Sequence, residues 1–212
     1  MKRIILTLSC ALFTVVLLAQ PARVPVNEPS GSGTNKPSNN NNTNSGGNTT
    51  TNTNTSSGSS GELKKYSDGQ GRFTIGYPED WAFNSSPDNA VIKITSPSEG
   101  SNDKFRQNVN LQIEQLNSGT TIDDYVKTNV DAVKDLVKNY REVSSMFFNR
   151  NGSRAFQIIY KGRYGDADYE IQVKQLFALV NGKAYILTYV SKEDERDAFE
   201  TTANKIFNSF KY

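Results

Sequence analysis

The side chains in this chain that could do chemistry are carboxylates and tyrosines. There is no histidine, and the one cysteine is Cys10. That excludes Ser-His and Cys-His nucleophile pairs, histidine general bases and the usual zinc shells. Two short acidic stretches, "DGQG" at 68–71 and "DAD" at 166–168, carry oxygens of the kind Ca²⁺ accepts. Neither has the spaced ligands of a calcium-binding loop, and Asp166 and Asp168 sit where a hairpin turn uses aspartates for its own backbone hydrogen bonds. No cofactor and no metal is assigned. "GQGRF" leads into a strand rather than a helix, so it is not a phosphate loop, and no carboxylate pair stands out as glycosidase-like. Tyr160, Tyr164, Tyr169, Tyr185 and Tyr189 fall on candidate strands, where an aromatic stripe more often serves cross-strand packing than a pocket.

The elements that must position these groups begin late in the chain. Met1-Lys2-Arg3 is a short cationic start, and the apolar run Ile4 to Ala19 is too short to span a bilayer. Residues 1–19 therefore read as a secretory signal, cut between Ala19 and Gln20, with an uncleaved anchor as the alternative. Cys10 follows "LTLS" and is a candidate lipid anchor, although Thr7 stands where a large aliphatic residue is usual. Residues 20–61 form a linker, and from Ser30 to Gly61 every residue is Ser, Gly, Thr or Asn except Lys36 and Pro37. With nothing apolar to bury, such a segment stays a solvated, disordered coil, its ends about 35 Å apart on average. Four of the 24 bases and one of the 22 acids precede residue 62, which leaves 20 against 21. A folded part that is nearly neutral gives no electrostatic case for a nucleic-acid partner.

From residue 62 to 212 the pattern is that of one domain. "RFTIGY" is a strand with Phe73, Ile75 and Tyr77 on one face, ended by Pro78, and "PED" turns the chain towards Trp81, the only tryptophan. Trp81 and Tyr77 are expected to close one end of the core. "AVIKIT" (90–95) and "NVNLQIEQL" are further strands. In the latter, Val109, Leu111 and Ile113 face the core, while Asn108, Asn110, Gln112 and Glu114 face a wetter side. Thr121 to Asn139 reads as a helix, boxed by Thr121 and Asp124, with an apolar stripe of Ile122, Tyr125, Val126, Val130, Val133 and Val137 and an exposed Asp123–Lys127 pair. "REVSSMFF", "SRAFQIIYKGRY", "YEIQVKQLFALV" and "KAYILTYV" follow as strands, the last two joined by Asn181-Gly182 and apolar on both faces, hence central. A final helix is expected from Ser191, capped with Asp194, its first turn holding Glu193, Asp194 and Glu195. The fold class is α+β: a mostly antiparallel sheet with helices packed on it.

"FTIGYPEDW", "NVNLQIEQL" with the capped helix after it, "NGSRAFQIIYKG", "NGKAYILTY" and "FNSF" occur in this order, and together they resemble the PsbP-like domain family. The resemblance covers Glu62 to Tyr212. It implies an α/β/α sandwich, a location outside the cytoplasmic membrane, and a non-enzymatic role as an assembly or stabilising factor on a membrane complex. Metal-linked members of the family use histidine, so no metal site carries over.

Two functional readings follow. The first is an exported, periplasmic or extracellular binding module, free or membrane-tethered, monomeric, that contacts a protein partner at the envelope. Its working surface would be the polar loop Ser96 to Gln107, where Lys104, Phe105 and Arg106 set an aromatic between two cations. The second is a carboxylate-dependent hydrolase or small-ligand carrier with a cleft between sheet and helix. It requires a concave pocket where at least two acidic side chains converge with perturbed pKa values.

Overall fold

A computed structural model describes residues 62–212. The signal 1–19 with its Ala19–Gln20 cut, Cys10 and the linker 20–61 lie outside the described residues. In chain order the elements are β1 (Lys64–Ser67), β2 (Thr74–Tyr77), β3 (Ala82–Asn84), β4 (Ile92–Thr95), β5 (Asn108–Gln115), α1 (Ile122–Leu136), β6 (Val137–Arg150), β7 (Ser153–Tyr164), β8 (Ile171–Val180), β9 (Lys183–Lys192) and α2 (Arg196–Ser209). Seven strands form one sheet in the order β3-β4-β5-β9-β8-β7-β6, antiparallel throughout, and β1 pairs with β2 separately.

Alternation along the central strands divides the core in two. On β8, Ile171, Val173 and Phe177 join Tyr125, Val126 and Val133 of α1, whereas Leu176 and Ala178 join Ala203, Ile206 and Phe207 of α2. The sheet therefore lies between two helical layers, as both the residue pattern and the family likeness imply. Asn181 and Gly182 both have positive φ, 52° and 71°, which is what a two-residue hairpin turn requires. Trp81 is 3% exposed and meets Phe199 edge-on at 5.6 Å, and Tyr77 stacks on Phe83 at 4.5 Å. The Pro78 turn closes through the Trp81 N–H donating to the Pro78 carbonyl at 3.2 Å.

The first sheet of the described domain is stitched to its last residues. Thr74 and Lys211 exchange backbone hydrogen bonds of 2.8 and 2.9 Å, and the Tyr212 ring stacks on Tyr185 at 5.4 Å. Gly76 lies so close to Leu63 and Ser209 that a β-carbon there would come within 2.9 Å of the leucine. Its N–H donates to Ser209 Oγ at 2.7 Å.

Four local expectations are corrected. Thr121 does cap α1, accepting from the Asp124 N–H at 3.1 Å, but Asp123 is drawn to Arg154 on β7 and Lys127 pairs with Asp131 at 2.7 Å instead. The outer face of β5 is not wet at its start: Asn108 and Asn110 are each 1% exposed, because β5 pairs with the central strand β9 and that end of its face is covered. Ser191 does not cap the last helix. It lies fully buried on β9 opposite Gln172, where ladder pairing and burial outweigh a cap. α2 starts at Arg196 behind Glu195, which makes no side-chain capping bond, so Glu193, Asp194 and Glu195 precede the first turn and Asp197 alone occupies it. Two short strands, β1 and β3, lie outside the strands that alternation predicts.

Candidate functional site

Asp68 of "DGQG" is buried, and Arg72 grips its carboxylate with Nε and Nη2, both at 2.8 Å. The N–H groups of Gln70 and Arg72 add 3.1 and 3.2 Å bonds to the same carboxylate. The Arg72 guanidinium holds the Asp68 pKa down at about 2, against the opposing effect of burial. This carboxylate closes a turn, both of its oxygens engaged by Arg72. Asp166 is fully exposed, 3.1 Å from Lys138 Nζ. Among the described residues no three acidic or thiol side chains converge as a metal site. The tyrosines do not share a pocket: Tyr160 and Tyr164 join hydroxyls at 2.8 Å on the α1 side, while Tyr185 and Tyr189 lie in the α2-side core.

The loop Ser96 to Gln107 lines a cavity of about 380 Å³ with Lys192 and Glu195. Three carboxylates reach it. Glu195 is held by Lys192 Nζ at 2.8 Å and Gln107 Nε2 at 3.2 Å. Asp103 accepts the N–H groups of Glu99 and Phe105 at 3.0 and 3.1 Å, which shapes the loop. Glu99 has its pKa raised by burial first, then by the charges of Glu195 and Asp103. Two of the three acids are thus committed to holding the loop, and the cavity offers one perturbed carboxyl. In the same loop Lys104 is exposed, but Phe105 is 5% exposed and packs edge-on against Tyr169 at 5.5 Å. Arg106 turns back to the Ser96 carbonyl, 2.6 Å from its Nε. The structure does not present these three residues as one face.

A different surface gathers what a partner would need. Among the described residues, the exposed large apolar side chains are Leu136 (41%), Val143 (52%), Met146 (58%) and Phe147 (39%), all on or beside β6. β6 is an end strand, paired with β7 alone. It grows straight out of α1, the Val137 N–H donating to the Val133 carbonyl, and two irregularities interrupt its pairing, between Lys138 and Arg141 and between Glu142 and Ser144. Gly162 faces the first of them, because a β-carbon there would meet Val137 Cγ1 at 2.3 Å. From Ser144 to Arg150 the pairing is regular.

The two faces beside this edge differ. On β7, Phe156, Ile158, Tyr160 and Tyr164 are buried towards α1, while Gln157, Ile159, Lys161 and Arg163 are half-exposed on the α2 side. α2 leaves that part of the sheet open. Lys138 registers with Arg163, Arg141 with Lys161, and Lys174 with Ile159, so five cations share this face, and Asp166 answers Lys138 at 3.1 Å. Glu170 answers Arg141 at 2.7 Å and Glu193 answers Lys161. Lys174 donates to Asn204 Oδ1 at 2.7 Å, lies 5.0 Å above the Phe207 ring, and has its pKa lowered by burial first. At the far end Arg150 donates to the Phe207 and Phe210 carbonyls, capping the C-terminus of α2. The sequence signal for this surface was the uncharged run Val143 to Asn149, apolar on both faces. Periodicity alone does not say whether such a strand is central or at an edge.

The sequence profile of the family described as PsbP-like protein matches residues 34–212. The chain belongs to the PsbP-like family. No curated protein matches its sequence. Among solved structures, cyanobacterial PsbP (CyanoP) from Synechocystis is 18% identical over 74% of this chain and 98% of its own, with a TM-score of 0.49. LpqN, involved in cell envelope biogenesis of Mycobacterium tuberculosis, is 14% identical over 72% of this chain and 86% of its own, at 0.55. The Ran-binding protein Mog1p of Saccharomyces cerevisiae is 8% identical over 71% and 95%, at 0.52. At these identities LpqN and Mog1p share a fold with this PsbP-like chain. No helix among the described residues is long and apolar enough to cross a membrane.

Proposed function

We propose that this PsbP-like protein is a non-catalytic binding module, exported across the cytoplasmic membrane, that docks on a protein partner at the envelope through β6. The observation that carries the reading is the confinement of Leu136, Val143, Met146 and Phe147, the exposed large apolar side chains of the described residues, to one sheet edge. Large apolar side chains exposed along one strand, Met146 on one face and Phe147 on the other, mark an interaction site more often than a catalytic one. Family membership supports the reading. So do the envelope context of LpqN and the protein-binding role of Mog1p, each a property of that protein. In this reading the signal is removed after Ala19 and residues 20–61 act as a spacer. A lipid on Cys10 would tether the module instead.

The test is cross-linking in native cells, followed by mass spectrometry of the partners and of the N-terminus. One membrane complex recovered with the wild type and lost with Val143→Asp/Met146→Asp, whose thermal unfolding is unchanged, supports docking through β6. Loss with Lys104→Ala alone, and not with the β6 pair, moves the surface to the Ser96–Gln107 loop. The second reading, a small-ligand carrier or carboxylate-dependent hydrolase, has in its favour the raised Glu99 in the loop cavity. A ligand screen in which Glu99→Gln abolishes a hit would promote it.

A further inference from the structure

Resting on the reading of β6 as an interaction surface, we propose that its regular stretch, Ser144 to Arg150, pairs with the same stretch of a second copy of this chain, two-fold about Phe147. An end strand presents backbone N–H and C=O groups that another strand satisfies, and proteins usually blunt such an edge with a proline, a charge or a bulge. Both irregularities of β6 fall before Ser144, and from there to Arg150 the ladder with β7 is unbroken. Between Val143 and Asn149 there is no proline and no charged residue. Asn151 and Gly152 have φ of 49° and 80°, so Arg150 and Ser153 close a two-residue turn as a hydrogen-bonded pair. Alternation from that pair points the main-chain groups of Ser145, Phe147 and Asn149 off the sheet, centred on Phe147.

The order of side chains selects the strand that fits. About Phe147 the stretch Ser-Ser-Met-Phe-Phe-Asn-Arg is a palindrome in polarity. Laid antiparallel against its copy, it sets Phe147 on Phe147, Met146 on Phe148, Ser145 on Asn149 and Ser144 on Arg150. Apolar meets apolar and polar meets polar at every place. The faces agree as well, since Met146 and Phe148 register with Gln157 and Ala155 on the α2 side and Phe147 with Phe156 on the α1 side. The one charge in the stretch, Arg150, is turned to the Phe207 and Phe210 carbonyls. Its copy lies about 20 Å away along the seam. Glu142 stands beyond the second irregularity, and Arg154, 4.0 Å above the Phe147 ring, is drawn to Asp123. No like charges face each other across the seam. Such a contact closes at two copies. Leu136 and Val143 lie outside the paired stretch and stay exposed for the envelope partner, once in each copy. This goes beyond the monomer expected from the sequence, where nothing marks β6 as an edge.

The experiment uses the whole exported protein. A seam of seven residues a side is short beside the roughly 20 to 30 of a stable interface, so association is expected to be reversible. Sedimentation up to about 500 µM should show the dimer rising with concentration. Ser145→Lys/Asn149→Lys puts two like-charged pairs across the seam and should weaken association at least about tenfold. Ser145→Lys/Asn149→Asp puts opposite charges at the same places and should recover it. Both positions are exposed, so thermal unfolding should be unchanged in both variants. The amides of Ser145, Phe147 and Asn149 should exchange more slowly as concentration rises, while those of Ser144, Met146 and Phe148, already in the ladder with β7, hold steady. A monomeric mass at the highest concentration, equal association of the two variants, or exchange indifferent to concentration overturns the proposal. So does a monomer whose three amides slow only with the cross-linked partner, which would give the edge to that partner. If the protein stays monomeric while Val143→Asp/Met146→Asp still releases the cross-linked complex, self-pairing falls and docking through β6 stands. If it pairs as expected and that variant leaves the complex in place, docking falls and self-pairing stands.

Discussion

Replacing Asp68 with Asn removes a buried charge held by the Arg72 guanidinium and by the N–H groups of Gln70 and Arg72. The side chain is 5% exposed and its guanidinium partner on Arg72 26% exposed, so solvent screens the pair little. Its pKa drops from the ordinary 3.8 to about 2 because Arg72 donates to the ionised form. At about 1.4 kcal/mol per unit, ionised Asp68 stabilises the folded state by roughly 2 kcal/mol. A carboxyl depressed in the folded state contributes fully above its unfolded value, near pH 4, and loses the contribution as pH falls through about 2. For a domain of this size that corresponds to a Tm lower by about 4 to 8 °C in the variant near neutral pH. The assay is urea unfolding of wild type and Asp68→Asn across the range from about pH 7 to about pH 2, followed by circular dichroism. Other carboxyls titrate in both proteins and cancel in the difference. The gap should be constant down to about pH 4 and close below it. A gap that persists unchanged at the acid end, or none near neutrality, would refute the assignment of this ion pair as a stabilising turn closure.

Three further outcomes are expected. Trp81→Ala should destabilise the domain by about 3 to 5 kcal/mol, since the ring is buried against Phe199, and equilibrium unfolding with an unchanged midpoint would contradict that. Gly162→Ala should cost more than about 2 kcal/mol and speed amide exchange at the α1–β6 junction, because its β-carbon would collide with Val137 and with the Lys138 carbonyl at 2.8 Å. Thr121→Ala should cost about 1 kcal/mol by freeing the Asp124 N–H, with Thr121→Ser recovering most of it in the same melt.

Much of the architecture was legible where local chemistry and tertiary packing agree. Asn181-Gly182 needs positive φ at both positions and has it, and β7 runs from Ser153 to Tyr164 as its alternation predicts. Thr121 caps a helix, its hydroxyl accepting from the Asp124 N–H and donating to the Asp124 carboxylate. Legibility failed where two local outcomes were close in energy and distant residues decided between them. Ser191 has the composition of a cap, yet its neighbour across the ladder, Gln172, keeps it in β9. Phe105 between two cations reads as an exposed anchor, yet Tyr169, far away in sequence, offers it a buried edge contact. The β6 surface was hidden for a related reason: an uncharged strand is a core strand or an exposed edge according to its place in the sheet order, a property of the whole topology.

The backbone exchange between Thr74 and Lys211 bears on when the domain can fold. A strand near its start is completed by a residue near its end, and the α2-side core takes Ile206, Phe207 and Phe210 from the same late stretch. During synthesis the free edge of β2 and the α2-side core stay incomplete until this stretch has emerged. Docking of residues 206–211 is therefore the step that commits the domain to its native state.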